Sequence, residues 1–249
     1  MAVATTAVAA MAIISSPEAI AQTKAPCKVL EMRNHDSGSY TQGFFFHEGK
    51  LYESAGQYGE SSLRIVDPQS GRVLKRKNFD RKYFLEGSCI CNGLLYVLTW
   101  QENTCFVCNP ETLETIGQLR YNGEGWGLTT DGKSLIMSDG SATLRWRNPA
   151  NFAIEKELKV KLKGKDLRWL NELEYIGGVI WANVYFSDTI VLINPDTGEV
   201  IETKDCKDIL PRNLRRPSTD VLNGIAYNAK DSTLWITGKL WPRMFRIEK

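Results

Sequence analysis

Five short segments open with a polar or acidic residue next to glycine or a second acid, then run into an apolar stretch: "QGFFFHEGKLYES", "EGSCICNGLLYVL", "EGWGLTTDGKSLIMS", "LNELEYIGGVIWANV" and "LNGIAYNAKDSTLWITG". Their entry residues are Gln42, Glu86, Glu124, Asn171 with Glu172, and Asn223. Carboxylates and amides are side chains suited to moving protons and to holding a developing oxyanion. Three indoles, Trp100, Trp126 and Trp181, lie in or just after these segments in three different units. A carboxyl group among indoles is expected to keep its proton above the ordinary carboxylate range, because burial disfavours the charged form. An apolar pocket with a few convergent polar groups is the usual form of a small-ligand site. A plainer reading stays open for each residue: polar groups around a channel bond to one another and to water, and a strand tryptophan packs in the core.

The elements that would bring these residues together repeat along the chain. After residue 40 there is almost no helical periodicity, only short apolar runs punctuated by Gly, Asn and Asp, the pattern of an all-β fold. Four units carry a similar turn, "VDPQSG" (66 to 71), "CNPETL" (108 to 113), "RNPANF" (147 to 152) and "INPDTG" (193 to 198). Proline fixes φ at the second turn position and the Asp or Asn before it can bond its own backbone, so each is a tight reversal between strands. Units of roughly forty residues with several strands each indicate propeller blades. The fifth unit stops at "MFRIEK" without a turn or a following strand, which would leave an open edge that proteins avoid. The alternating segment "CKVLEMRN" (27 to 34) is unassigned and is expected to pair there. The fold expected is a five-bladed β-propeller, its last blade closed by the N-terminal strand.

Composition narrows the function classes. The 249 residues, 43% hydrophobic and 24% charged, are ordinary for a globular protein and leave no case for disorder. A net charge of +2, with 31 basic residues interleaved among 29 acidic ones, gives no reason to expect a nucleic-acid or membrane partner. Residues 1–21 lack Lys and Arg, hold an apolar run from Ala7 to Ile14 and end in Ala19-Ile20-Ala21, which reads as a secretory signal with a small-residue cleavage site, although the usual positive start is missing. Residues 22–249 then form a single domain, exported to the periplasm or the cell exterior.

Export makes the six cysteines candidates for disulfides. Cys89 and Cys91 precede the turn Asn92-Gly93, and Cys105 and Cys108 lie about one strand further on, so two short bridges between these pairs are expected, with Cys27 and Cys206 as the third pair. Six cysteines admit fifteen connectivities, and spacing alone does not choose among them. A zinc site on Cys105 and Cys108 would need mostly thiolates, since His35 and His47 are the chain's only histidines.

The segments "YTQGF", "LYESAGQYGESSLR", "YFLEG", "LYVLTWQ", "EGWGLTTDGKSLIMSDGSATL", "LNELEYIGGVIWANVYFSDTIVLINPDTGEV" and "VLNGIAYNAKDSTLWITGKLWPRMF" closely resemble the glutaminyl cyclases of the plant and bacterial type, over almost all of residues 28 to 249. The resemblance implies a five-bladed propeller, in agreement with the repeat count. It also implies an enzyme that needs no metal or other cofactor and turns the N-terminal glutamine of peptides and proteins into pyroglutamate, expelling ammonia; a monomer is expected, with nothing in the sequence fixing the oligomeric state. Matched to the family's motifs, Glu86 is the proton shuttle, Asn171 and Lys239 are donors to the amide oxygen or the substrate backbone, and Tyr40, Gln42, Phe84, Trp100, Trp126 and Trp181 shape the substrate pocket. Two residues depart from the pattern: Tyr40 stands where the family more often has phenylalanine, and Leu85 replaces a glycine before Glu86, where it could narrow the site.

Two rivals remain from other classes. One is a non-catalytic propeller that binds peptides; the other is a metal-dependent hydrolase, which would need several carboxylates converging on one ion. Cleavage after Ala21 would leave Gln22 as the first residue of the exported chain, itself a substrate. Mass spectrometry of that chain is expected to show an N-terminal pyroglutamate; a free glutamine, or a different start, contradicts this.

Overall fold

The computed structural model describes residues 23–249, so the signal reading of residues 1–21 lies outside it. Each Pro-containing turn ends the third strand of a four-stranded antiparallel meander. The Asp or Asn side chain accepts backbone N–H bonds two residues on, as Asp67 Oδ1 does from Gln69 and Asn109 Oδ1 from Glu111. A five-residue loop then closes, with Leu113 bonded back to Asn109 and Phe152 to Asn148. Leu113 and Phe152 sit in the left-handed region at φ 65° and 62°. Each is fully buried, and the packing of those side chains offsets the strained backbone.

Blade I comprises Thr41–His47, Lys50–Ala55, Ser62–Val66 and Val73–Asn78; blade II, Leu85–Cys91, Leu94–Thr99, Thr104–Cys108 and Thr115–Arg120. Blade III comprises Leu128–Thr130, Leu135–Met137, Thr143–Arg147 and Ile154–Lys159; blade IV, Leu170–Ile176, Val179–Val184, Thr189–Ile193 and Val200–Asp205. Blade V supplies Leu222–Asn228, Thr233–Gly238 and Arg243–Ile247, and Val29–Asn34 completes it, pairing antiparallel with Met32 opposite Phe245. The expected N-terminal closure is what the chain does. Thr23–Pro26 adds a parallel fifth strand to blade IV, so the N-terminal segment spans two blades.

Burial falls from the inside of each blade to the outside. Leu85–Cys91 and Thr104–Cys108 are buried throughout, whereas Thr115–Arg120 is almost wholly exposed. This is why inner strands read as continuous apolar runs and outer ones as "LKRKN" or "IEKEL". Because side chains alternate across a sheet, each blade contributes to two apolar seams, and five seams result. Phe45, Leu63, Leu95 and Phe106 fill the seam between blades I and II, and Trp181, Leu192, Ile225 and Trp241 that between IV and V.

The cysteines correct one expectation. Cys27 and Cys206 form a disulfide, whereas Cys89, Cys91, Cys105 and Cys108 are free and buried. Strand Leu94–Thr99 lies between the two that carry them, so a bridge would have to span two strand spacings of about 4.8 Å each, beyond the reach of a disulfide. Cys105 and Cys108, three residues apart on one strand, face opposite seams and cannot chelate together.

The Cys27–Cys206 bond links positions 179 residues apart and secures the strand that closes the ring. Cys27→Ser paired with Cys206→Ser is expected to cost about 2–5 kcal/mol in denaturant-induced unfolding; an unchanged midpoint would show that pairing alone holds the closure.

Candidate active site

In four blades the first strand begins with a register shift against its neighbour: between Thr41 and Gly43, Leu85 and Ser88, Leu170 and Leu173, and Leu222 and Ile225. A bulge re-aims the side chain it carries. The residues inside these bulges include Gln42, Glu86, Asn171 with Glu172, and Asn223, all buried. In blade III the corresponding pair is Trp126-Gly127, so Trp126 rather than Glu124 holds the entry position. The residue after the entry is glycine in every blade except IV, where it is Glu172. A β-carbon at Gly127 would run into the carbonyl of Asn171, and one at Gly87 into the backbone N–H of Leu128.

A cavity of about 190 Å³ opens at this mouth of the ring, lined by Tyr40, Gln42, Gln57, Phe84, Glu86, Trp100, Trp126, Asn171, Tyr185 and Lys239. Its volume is that of about six liquid waters, the scale of a single residue. Eight of the nine residues singled out from the sequence converge here. The ninth, Trp181, does not: it sits mid-strand in blade IV, 2% exposed, in the seam against blade V. Tyr185 takes the place expected of it. Tyr185 directly follows the second strand of its blade, as Trp100 and Lys239 follow theirs.

One backbone bond repeats beneath these residues. The N–H of Gly56, Trp100, Tyr185 and Lys239 donates to the carbonyl of Tyr40, Phe84, Trp169 and Val221 respectively, at 2.8–2.9 Å. It ties the end of each second strand to the residue two before the bulge, so both positions project at the same mouth. Tyr185 was thus findable from strand offset. Gln57, the other missed lining residue, follows Gly56 in an irregular turn that carried no such sign.

Glu86 is 5% exposed, and Gln42 donates Nε2 to its Oε1 at 2.9 Å. Asn223 Nδ2 in turn donates to Gln42 Oε1 at 3.3 Å and to the carbonyl of Thr41 at 2.9 Å, fixing which way the Gln42 amide points. Burial pushes the Glu86 carboxyl well above the usual range; the Lys239 charge pulls it back, and Glu124 and Glu102 push it up again. Lys239 is 3% exposed, with Nζ 4.7 Å from the ring centres of both Tyr40 and Tyr185. Burial lowers its pKa, while Glu86 and Asp220 favour the ammonium. Asn171 faces the cavity with Oδ1 buried and without a hydrogen-bond partner.

The walls are braced from outside. Glu124 Oε2 accepts the indole N–H of both Trp100 and Trp126, each at 2.9 Å. Phe84 packs edge-on against Tyr40 and Trp100. The Tyr40 hydroxyl donates to Asp220 at 2.9 Å, so the group it adds over phenylalanine is used within the protein. Leu85 is fully buried in the seam between blades I and II and does not narrow the cavity.

Burial alone would raise the Glu124 carboxyl, but the bonds from Trp126, Trp100 and Gln101 outweigh it and hold the pKa below the ordinary value. The bracing is therefore present at neutral pH and is lost as pH falls through that lowered pKa. Tryptophan fluorescence is expected to change on acidification below pH 4.5, and Glu124→Gln is expected to remove that step; an identical titration in the variant would contradict the bracing role.

The likeness of this chain to known proteins agrees with the geometry. A family model described as glutamine cyclotransferase matches residues 2–249. A glutaminyl-peptide cyclotransferase of Arabidopsis thaliana is 37% identical over 220 residues, covering 86% of this chain and 68% of the plant protein. The solved glutaminyl cyclase of Myxococcus xanthus superposes with a TM-score of 0.84 at 32% identity, over 91% of this chain and 97% of that one. A protein of unknown function from Bacteroides caccae, 12% identical, shares the fold alone, with a TM-score of 0.51 over 69% of each chain. Matched along nearly its whole length by sequence and by structure, the chain belongs to the glutamine cyclotransferase family.

Proposed function

We propose that the protein cyclises the N-terminal glutamine of peptides to pyroglutamate, and that Glu86 shuttles the proton. The observation that carries this is a buried carboxyl group at an aromatic-walled cavity, one oxygen held by Gln42, with a buried lysine alongside. The names of the plant and bacterial relatives support the reaction; the residue roles rest on the geometry.

The reaction joins the α-amine nitrogen to the side-chain amide carbon, passes negative charge to the amide oxygen, and then breaks the bond to the amide nitrogen, which leaves as ammonia. The attacking amine must lose a proton and the departing nitrogen must gain one. A single carboxyl can do both, and does so best when its pKa lies close to the working pH. Burial moves Glu86 in that direction, and the Gln42 bond keeps one oxygen occupied and the group oriented. Lys239, itself 3% exposed, supplies a cation for the developing oxyanion from a position that solvent screens little. The unpartnered Oδ1 of Asn171 suits it to accept an N–H of the α-amine, an acceptor role in place of the donor role expected from sequence. Tyr40, Phe84, Trp100, Trp126 and Tyr185 enclose a flexible side chain that must fold back on itself, which lowers the entropy cost of closing the ring.

Ammonia release from a Gln-initiated dipeptide amide tests the reading. Wild type is expected to release ammonia, and Glu86→Gln to lower kcat by about 10²–10⁴-fold. A folded-state pKa above the unfolded one makes the protonated carboxyl a source of stability that is lost as pH rises. Glu86→Gln, neutral at every pH, is therefore expected to be at least as stable as wild type at pH 8. The kcat profile is expected to fall on the acid side at a pH above the ordinary carboxylate value, and on the alkaline side below the ordinary lysine value of 10.5 as Lys239 loses its charge. Activity retained in Glu86→Gln would overturn its role; no release by folded wild type would overturn the function and favour the peptide-binding propeller.

A further inference from the structure

Two large aromatic residues stand in the open beside the cavity. Trp169 is 49% exposed and Phe186 71% exposed. Both have left-handed backbones, at φ 70° and 60°, a region that bulky side chains avoid and that persists where surrounding structure imposes it. Neither lines the cavity, yet both continue its wall. Trp126 and Tyr185, which do line it, have ring centres 5.5 Å apart. From them the contacts run outward: Trp126 to Trp169 at 6.2 Å, Tyr185 to Phe186 at 3.9 Å, and Trp169 to Phe186 at 6.1 Å.

The blade repeat explains why Trp169 points where it does. Its carbonyl accepts the N–H of Tyr185 just as the carbonyls of Tyr40 and Phe84 accept those of Gly56 and Trp100. It is the blade IV counterpart of two cavity-lining residues and projects at the same mouth. The opposite bank of that mouth is chemically different. There Tyr58 bonds Glu102 Oε1 at 2.8 Å and lies near the charges of Glu86 and Glu124, so that bank is acidic as well as aromatic. The Trp169–Phe186 bank presents exposed aromatic side chains.

We propose that Trp169 and Phe186 form a subsite for an apolar side chain on the residue that follows the N-terminal glutamine of the substrate. The inference rests on the cyclase reading above. A cavity sized for a single residue forces the next one out at its rim, and rings already held in place lose little conformational freedom on gripping an apolar partner. Contacts remote from the reacting amide bind ground state and transition state alike, so they lower KM and leave kcat nearly untouched.

The test compares cyclisation of Gln-Gly, Gln-Leu and Gln-Phe amides by wild type, Trp169→Ala, Phe186→Ala and Trp169→Tyr, with folding checked by circular dichroism. Wild type is expected to show a KM roughly 10-fold or more lower for the Leu and Phe substrates than for the Gly one. Each alanine variant is expected to bring that ratio toward one with kcat altered less than twofold, and Trp169→Tyr to restore part of it. Cyclisation with a ratio near one in wild type, or a ratio unchanged in both alanine variants, overturns the subsite and leaves the cyclase reading standing. No cyclisation of any substrate overturns both. Sedimentation velocity on the same proteins covers the other occupant: a wild-type dimer that Trp169→Ala dissociates would assign the shelf to self-association and overturn the proposal.

Discussion

Crowding around the propeller axis is the constraint on which the site depends. Five inner strands converge so closely that a β-carbon at Gly87 or Gly127 would overlap the backbone of the next blade. Glu172 breaks the glycine pattern, and its carboxylate reaches across to accept the backbone N–H of Phe44 in blade I at 3.2 Å and of Ile225 in blade V at 2.8 Å. Three blades are thus tied at the axis by one side chain. Burial raises the pKa of this carboxyl strongly, the neighbouring Glu174 raises it further, and the two backbone donors act against both. With the axis filled, the entry residues Gln42, Glu86, Trp126 and Asn171 meet at the mouth, while Asn223 is fully buried and holds the Gln42 amide.

The same geometry sets the electrostatics of the mouth. Glu86 and Lys239 are each disfavoured as ions by burial, and each favours the other's charged form. Such a pair responds to small changes in its surroundings, which suits the proton-shuttle role proposed for Glu86. The segment carrying Lys239 is held from within its own blade and from blade I beside it. His35, at the end of the closing strand, bonds the carbonyl of Trp241 through Nδ1 at 2.7 Å and Glu53 through Nε2 at 3.0 Å. Burial disfavours a charged imidazole, but the Glu53 carboxylate wins and raises its pKa. Ring closure and placement of the lysine are therefore one structural problem with one solution.

Much of this was legible in the sequence because a propeller repeats. Four Pro-containing turns and five polar entries gave the blade count, and an unpaired final edge pointed to the N-terminal strand. Eight of the nine site residues named from the sequence line the cavity: Gln42 and Glu86 carry the polar-plus-glycine mark of a bulged entry, while Tyr40, Phe84 and Lys239 were legible only through the family resemblance. The misses have physical causes. Trp181 was drawn in by its residue type, but alternation along a regular strand sends it into a seam, while Tyr185 escapes alternation by lying just past the strand end. Glu124 lies outside the bulge register and braces the two indoles instead of entering the ring. The cysteines were paired by spacing, which cannot show that a strand runs between them. The shelf at Trp169 and Phe186 left no mark in the sequence, since neither exposure nor a left-handed backbone is written in residue type.

The proposed role of Glu86 needs a carboxyl that burial lifts above the ordinary carboxylate range and that is ionised when it takes the proton of the bound amine. Infrared difference spectroscopy of wild type against Glu86→Gln reads this directly. The raised pKa predicts a protonated-carboxyl band that is absent from the variant, persists above pH 4.5 and disappears on titration to higher pH. A Glu86 carboxyl already fully ionised at pH 4.5, in a wild type that cyclises glutamine, would contradict it.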